Sequence, residues 1–130
     1  MINMLDTNTC SYIMRKSSPT VIHHFEKIEP GDIYISSIVL AELKYGATKY
    51  PKYSQAVNDF LTMITVIHFD NSAADHYAEI RHNLQMHGNI IGPNDLLIAA
   101  HARSLDAILI TNNMKEFNRV PDLKLENWML

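Results

Sequence analysis

The chain has 130 residues, 47% hydrophobic and 19% charged, which suits one domain spanning residues 1–130 and leaves too little for a second core. Fourteen acids against 11 Lys and Arg give a net charge of −3. That balance excludes a generally basic nucleic-acid coat but not a nuclease whose own carboxylates make it acidic. The lone cysteine, Cys10, excludes an intramolecular disulfide and a thiolate zinc site. No run approaches the roughly eighteen apolar residues of a membrane span, and no basic-then-apolar leader is visible, so a cytoplasmic protein with no membrane partner is expected.

Taken in chain order, Ile2–Leu5 is a short apolar run that predicts a buried strand ending at Asp6, and residues 7–15 suit a helix. Ser18-Pro19 starts a second helix, with Ser18 as N-cap and Pro19 where its missing N–H costs nothing. Ile33–Ile35 reads as a strand, and Ser36 and Ser37 can cap the helix that follows. Ala41, Tyr45, Ile38, Val39, Leu40 and Leu43 are expected to pack on two sides of that helix. Val57, Phe60, Leu61 and Ile64 fall at the spacing of an amphipathic helix. Val66-Ile67 with Phe69 is a short strand candidate. Ala73, Tyr77, Ile80 and Leu84 form another helical stripe, ended by Gly88. Gly92-Pro93 opens the next helix, with Ile98, Ala99 and Ala102 on one face. Ala107–Ile110 is the strongest strand pattern and runs into Thr111-Asn112-Asn113. Residues 123–128 supply a last edge strand. Strands alternating with helices imply an α/β fold with a mainly parallel sheet, in which ligands bind beyond the carboxyl ends of the strands.

Three carboxylates stand in apolar company: Asp6 at the end of a buried strand, Glu42 inside Ile38–Leu43, and Asp95 at the head of Asp95–Ala100. Singly, each has an ordinary reading as a helix cap, a solvent-facing acid or a first-turn charge. Brought together they repel, and burial drives them to protonate. A divalent cation removes that conflict, and all-oxygen donors suit Mg²⁺, with Mn²⁺ as substitute. Such an ion keeps waters, one of which can attack a phosphodiester. Asn8, Thr111 and Asn113 can hold those waters or orient the acids. The histidines share no metal-ligand spacing with the acids and read as surface or structural, and Cys10 reads as a small apolar residue.

Met4-Leu5-Asp6-Thr7-Asn8 resembles the opening motif of PIN domains, specifically of VapC-type toxins from bacterial toxin–antitoxin pairs. Ile35–Gly46 is similar to the second motif, around Glu42, and Ile91–Ala102 to the third, around Asp95. Ile110–Phe117 resembles the fourth. The resemblance implies a three-layer α/β/α sandwich, Asp6, Glu42 and Asp95 as catalytic acids, and Asp6 and Asp95 as the direct metal ligands. Many PIN domains carry Asp where this chain has Asn113, which weakens the case for a second tightly held ion; Glu116 is the residue placed to compensate. The resemblance further implies a Mg²⁺-dependent endoribonuclease acting on structured RNA, with the anticodon loop of initiator tRNA the favoured target. It also implies a homodimer, a cognate antitoxin and a higher-order complex with that antitoxin and operator DNA.

The cations placed to meet RNA are Lys44, Lys49, Lys52, Arg103, Lys115 and Arg119. An inhibiting peptide is expected to aim an Arg or Lys at the acids and to lay apolar groups against Tyr12, Ile13, Tyr45 and Tyr53. A haloacid-dehalogenase-type phosphatase needs a second Asp where Asn8 stands, and a receiver domain needs an early acidic pair; neither fits. The alternative from another class is a PIN-like module that binds RNA or a partner without cutting.

Overall fold

The computed structural model describes all 130 residues. Five parallel strands form one sheet in the order β3-β2-β1-β4-β5. They are β1 (Asn3–Leu5), β2 (Ile33–Ser36), β3 (Thr65–Ile67), β4 (Ile108–Ile110) and β5 (Lys124–Glu126). Between them run α1 (Thr7–Arg15), α2 (Pro19–Lys27), α3 (Ser37–Lys49), α4 (Ser54–Leu61), α5 (Asn71–Met86), α6 (Pro93–Ser104) and α7 (Met114–Phe117).

This strand order dictates the three layers. From β1 the chain steps outward to β2 and β3 through α1–α2 and α3–α4. It then crosses back over the sheet through α5–α6 to enter β4, and steps the other way to β5. Right-handed crossovers therefore put the first two helix pairs on one face and α5, α6 and α7 on the other. α1 packs with α2, α3 and α4, whereas α5 packs along α6. The connections diverge between β1 and β4, which opens a crevice at the carboxyl ends of those two strands. Asp6 and Thr111 are the residues that follow them.

Local chemistry explains most boundaries. Asp6 caps α1 through a 2.8 Å bond from the Thr9 amide, Ser18 caps α2 at Val21, and Ser36 caps α3 at Ile38. Gly88 takes a left-handed φ of 66° just past the end of α5, where a side chain is strained. The core joins both ends of the chain: Met4, Leu5, Leu109, Ile110, Phe117 and Trp128 are all buried.

The structure corrects several expectations. The first strand starts at Asn3, whose side chain is buried yet satisfied by donating to the Met1 and Asp32 carbonyls. α4 stops at Leu61, so Ile64 lies beyond it, although it still packs on the core. Phe69 falls outside β3. On α3 only Val39 and Leu43 are buried; Ala41 and Tyr45 face solvent. The four-residue α7, too short to show a period, had no sequence signal.

Gly46 lies inside α3, and a Cβ built there meets nothing within 4 Å. Gly46→Ala is expected to stabilise the fold by roughly 0.5–1 kcal/mol, because glycine loses more backbone entropy than alanine on entering a helix. Urea denaturation should show a higher midpoint at unchanged slope.

Candidate active site

Five elements deliver side chains to the crevice between β1 and β4. Asp6 follows β1, Glu42 lies in α3, Asp95 in the first turn of α6, Thr111 and Asn113 follow β4, and Glu116 lies in α7. Asp6 is 4% exposed; one oxygen accepts the Thr9 amide, and the Thr9 and Thr111 hydroxyls lie near enough to lower the carboxyl's pKa. Thr9 in turn donates its hydroxyl to the Ile110 carbonyl at 3.2 Å, locking α1 to the end of β4. Glu42 is fixed by a 2.6 Å bond from the Thr7 hydroxyl. Thr111 accepts the Asn113 amide at 2.9 Å, and the Asn113 side chain donates to Glu116 and, at 3.5 Å, to Asp95.

Sequence reasoning missed Thr7 and Thr9. Both follow Asp6 directly, and hydroxyls one and three residues past a strand-end acid are the signal that could have found them. Asn8, in contrast, is exposed on α1 and forms no side-chain bond to the acids. The geometry withdraws Arg103 from the cations facing RNA. Its guanidinium is committed to Glu79 at 2.9 Å, His76 and the Pro121 carbonyl in the last turn of α6, away from the Asp95 end. Lys44, Lys49 and Lys115 are exposed, and Arg119 donates to the Ile90 carbonyl.

The electrostatics are one-sided. The molecule has two ion pairs, Arg103–Glu79 and Lys124–Asp106, and neither involves an acid of the crevice. Burial pushes the Asp6 carboxyl above its ordinary value, against the hydrogen bonds that lower it, and the charge of Glu42 adds to the rise. Asp95 is pushed up to about 6, chiefly by burial and then by the negative charges of Glu116, Asp6 and Glu42. Glu116 is held below the usual carboxylate range, first by the Asn113 hydrogen bond, so a proton shared in this corner rests on Asp95.

Every donor in the crevice is oxygen or amide, which fits a hard divalent cation and no soft one. No three acids converge closely enough to wrap an ion by themselves. The fit is therefore to an ion that keeps several waters and takes direct bonds from one or two carboxylates, as Mg²⁺ does. Asp6 and Asp95 are the pair that would hold it.

One buried link joins the helices that carry the acids. His101 of α6 is 1% exposed, and its Nδ1 lies 2.7 Å from Ser36 Oγ, the cap of α3. Ser36 already accepts the Ile38 amide, so its hydroxyl proton is free to donate to a neutral imidazole. Burial lowers the His101 pKa and keeps it neutral, while Nε2 has no partner. Phe69 packs edge-on against the ring.

In chelator, the folded chain holds protons on Asp6 and Asp95 to higher pH than the unfolded chain does. Between pH 3.8 and about 6 the folded state binds the extra proton of Asp95, so that contribution makes stability fall as pH rises through this window. Asp95→Asn should flatten the decline and melt higher than the unsubstituted chain at about pH 7.5, because it removes a buried charge among like charges. Melts in EDTA across the window check this, and a lower melt for the variant at about pH 7.5 contradicts it.

A family model described as PIN domain matches residues 4–123. Among characterised relatives, Ribonuclease VapC2 of Rickettsia felis is 46% identical over 98% of both chains. The tRNA(fMet)-specific endonuclease VapC of Shigella flexneri is 41% identical over 96% of both. Among solved structures, VapBC2 from Rickettsia felis, bound to a DNA fragment from its promoter, superposes with a TM-score of 0.92 at 44% identity, covering 98% of this chain and 99% of that one. The family match over most of the chain and the full-length likeness agree: the chain belongs to the PIN domain family and, within it, to the VapC ribonucleases.

Proposed function

We propose that this protein is the toxin of a type II toxin–antitoxin pair, a Mg²⁺-dependent endoribonuclease that hydrolyses tRNA in the anticodon loop, with initiator tRNA favoured. The observation that carries the reading is the set of carboxylates gathered at the β1–β4 crevice with no Lys or Arg paired to them. Such a site lacks positive charge, and a divalent ion supplies it. The Shigella relative, named for tRNA(fMet), favours the initiator.

The ion, when bound, lowers the pKa of a coordinated water and neutralises the phosphate. Asp6 and Asp95 would hold it, and because Asp95 is pushed up to about 6, binding near or below that pH would displace its proton. Glu42, pinned by Thr7, accepts a hydrogen bond from the attacking water and orients it. The Thr9 amide fixes Asp6, and Asn113, its own amide held by Thr111, fixes the Asp95–Glu116 corner, so little reorganisation is needed when RNA arrives. Lys44, Lys49 and Lys115 meet backbone phosphates.

The partner is a small antitoxin, as in the VapBC2 assembly on promoter DNA, and the working unit is a cytoplasmic homodimer that joins the antitoxin on operator DNA. A groove of about 450 Å³ begins at Thr7 and Glu42 and continues over Met14, Leu43, Ala47 and Val57. That apolar floor suits the antitoxin peptide, with a basic side chain reaching the acids. Of the positions offered for this contact, Ile13 is core and Tyr12 accepts a bond from Asn112, whereas Tyr45 and Tyr53 are exposed.

Cleavage of tRNA by purified protein should need Mg²⁺ or Mn²⁺ and stop in EDTA. Asp6→Asn should lower the rate by more than about a hundredfold. Thr7→Val, which only frees Glu42, should cost about 10- to 100-fold. Sequencing RNA ends after brief expression should show cuts in one anticodon loop. Scattered mRNA ends with intact tRNA overturn the substrate, and activity in excess chelator overturns the metal. Tight RNA binding without any cleavage makes the chain a silent binding module.

A further inference from the structure

From Leu43 to Asn58 the chain has no acid, and it repeats one dipeptide three times: Lys44-Tyr45, Lys49-Tyr50 and Lys52-Tyr53. The segment starts one residue after Glu42. Tyr45, Tyr50 and Tyr53 are 66%, 50% and 40% exposed, an unusual loss of apolar burial for one short stretch. Tyr50 and Tyr53 meet edge to face at 6.1 Å between ring centres. Lys49 Nζ stands 5.4 Å from the Tyr50 ring and Lys52 Nζ 5.2 Å from the Tyr53 ring.

Both rings line the groove that begins at Thr7 and Glu42, and Arg15 and Lys52 line it with them. Arg15, Lys16, Lys44, Lys49 and Lys52 are five of the chain's 11 Lys and Arg, and none of them enters an ion pair. Three of them, Arg15, Lys49 and Lys52, stand at the groove or against its rim tyrosines in a molecule of net charge −3.

We infer that Tyr50 and Tyr53, with Lys49 and Lys52, form a stacking subsite for unpaired bases of the RNA substrate, on the rim of the groove that leads to Glu42. The inference rests on reading the chain as a ribonuclease and adds how it selects single-stranded segments. Every base offers a π-face to a tyrosine ring, and the ammonium that lies over each ring is carried on a flexible stem that can swing to the neighbouring phosphate as a base takes its place. An antitoxin peptide alone accounts for the apolar floor of the groove but leaves the clustered, unpaired cations without a role. A polyanion accounts for both. Paired bases keep their faces in the helix, so the subsite favours a loop over a duplex.

The test uses the full-length protein and two labelled RNAs: a hairpin with a seven-nucleotide loop and a blunt duplex of the same stem. Tyr50→Ala combined with Tyr53→Ala should weaken hairpin binding and raise KM about fivefold or more, with little change in duplex binding. The matching Tyr→Phe pair should bind as the unsubstituted protein does, since stacking uses the ring and not the hydroxyl. Lys49→Ala combined with Lys52→Ala should make the salt dependence of log affinity shallower by about 1.4, the expectation for two phosphates on a single strand. Circular dichroism confirms that each variant is folded; if the alanine pair is not, Tyr50→Ser alone carries the comparison. The inference is overturned if the alanine pair binds hairpin normally, or if its only defect is in antitoxin affinity or dimer formation. Absence of RNA cleavage by the unsubstituted protein overturns instead the ribonuclease reading on which it rests.

Discussion

The structure turns on the repulsion among carboxylates at the carboxyl edge of the sheet. At Asp6 and Asp95 neighbouring negative charge adds to the cost of burial, most visibly at Asp95, and neither acid is in an ion pair. The fold tolerates this because each acid accepts from a neutral donor: the Thr9 amide on Asp6, the Thr7 hydroxyl on Glu42 and the Asn113 amide on Glu116 and Asp95. Neutral donors position a carboxylate without spending its charge, whereas a lysine in the same place would satisfy the site and close it to a metal ion.

The parts of the site legible in the sequence were those with a local signature. Asp6 ends an apolar run, Glu42 interrupts one and Asp95 follows a Gly-Pro helix start, so each acid was conspicuous against its neighbours. The strand alternation gave the parallel sheet, and serine and proline gave the starts of α2 and α3. What stayed hidden depended on contacts distant in sequence. Thr7 matters because α3 brings Glu42 to it across 35 residues, and Arg103 loses its freedom to Glu79 on α5, 24 residues away. Asn8 looked like a partner for the acids but is turned outward by the pitch of α1. Ile64 fitted the helical spacing, yet α4 ends at Leu61, where the Thr62 hydroxyl and amide both donate to the Asp59 carbonyl and the Met63 amide to that of Phe60.

The division of charge follows the division of layers. The acids sit where the two connections diverge, and the Lys-Tyr rim occupies the end of α3 and the turn after it. A single helix therefore joins opposite charges, with Glu42 midway along it and Lys49 at its end. The carboxyl end of that helix is also where its dipole favours cations.

The buried bond between Ser36 and His101 spans 65 positions of sequence. It closes a short circuit between the first residue of the α3 cap and the body of α6, bypassing α4, β3 and α5. The contact braces α3 against α6 directly, and Phe69, between β3 and α5, reinforces it by packing on the imidazole and donating its amide to Ser37. Loss of either the hydroxyl or the imidazole would therefore loosen the two helices that bear Glu42 and Asp95 relative to each other.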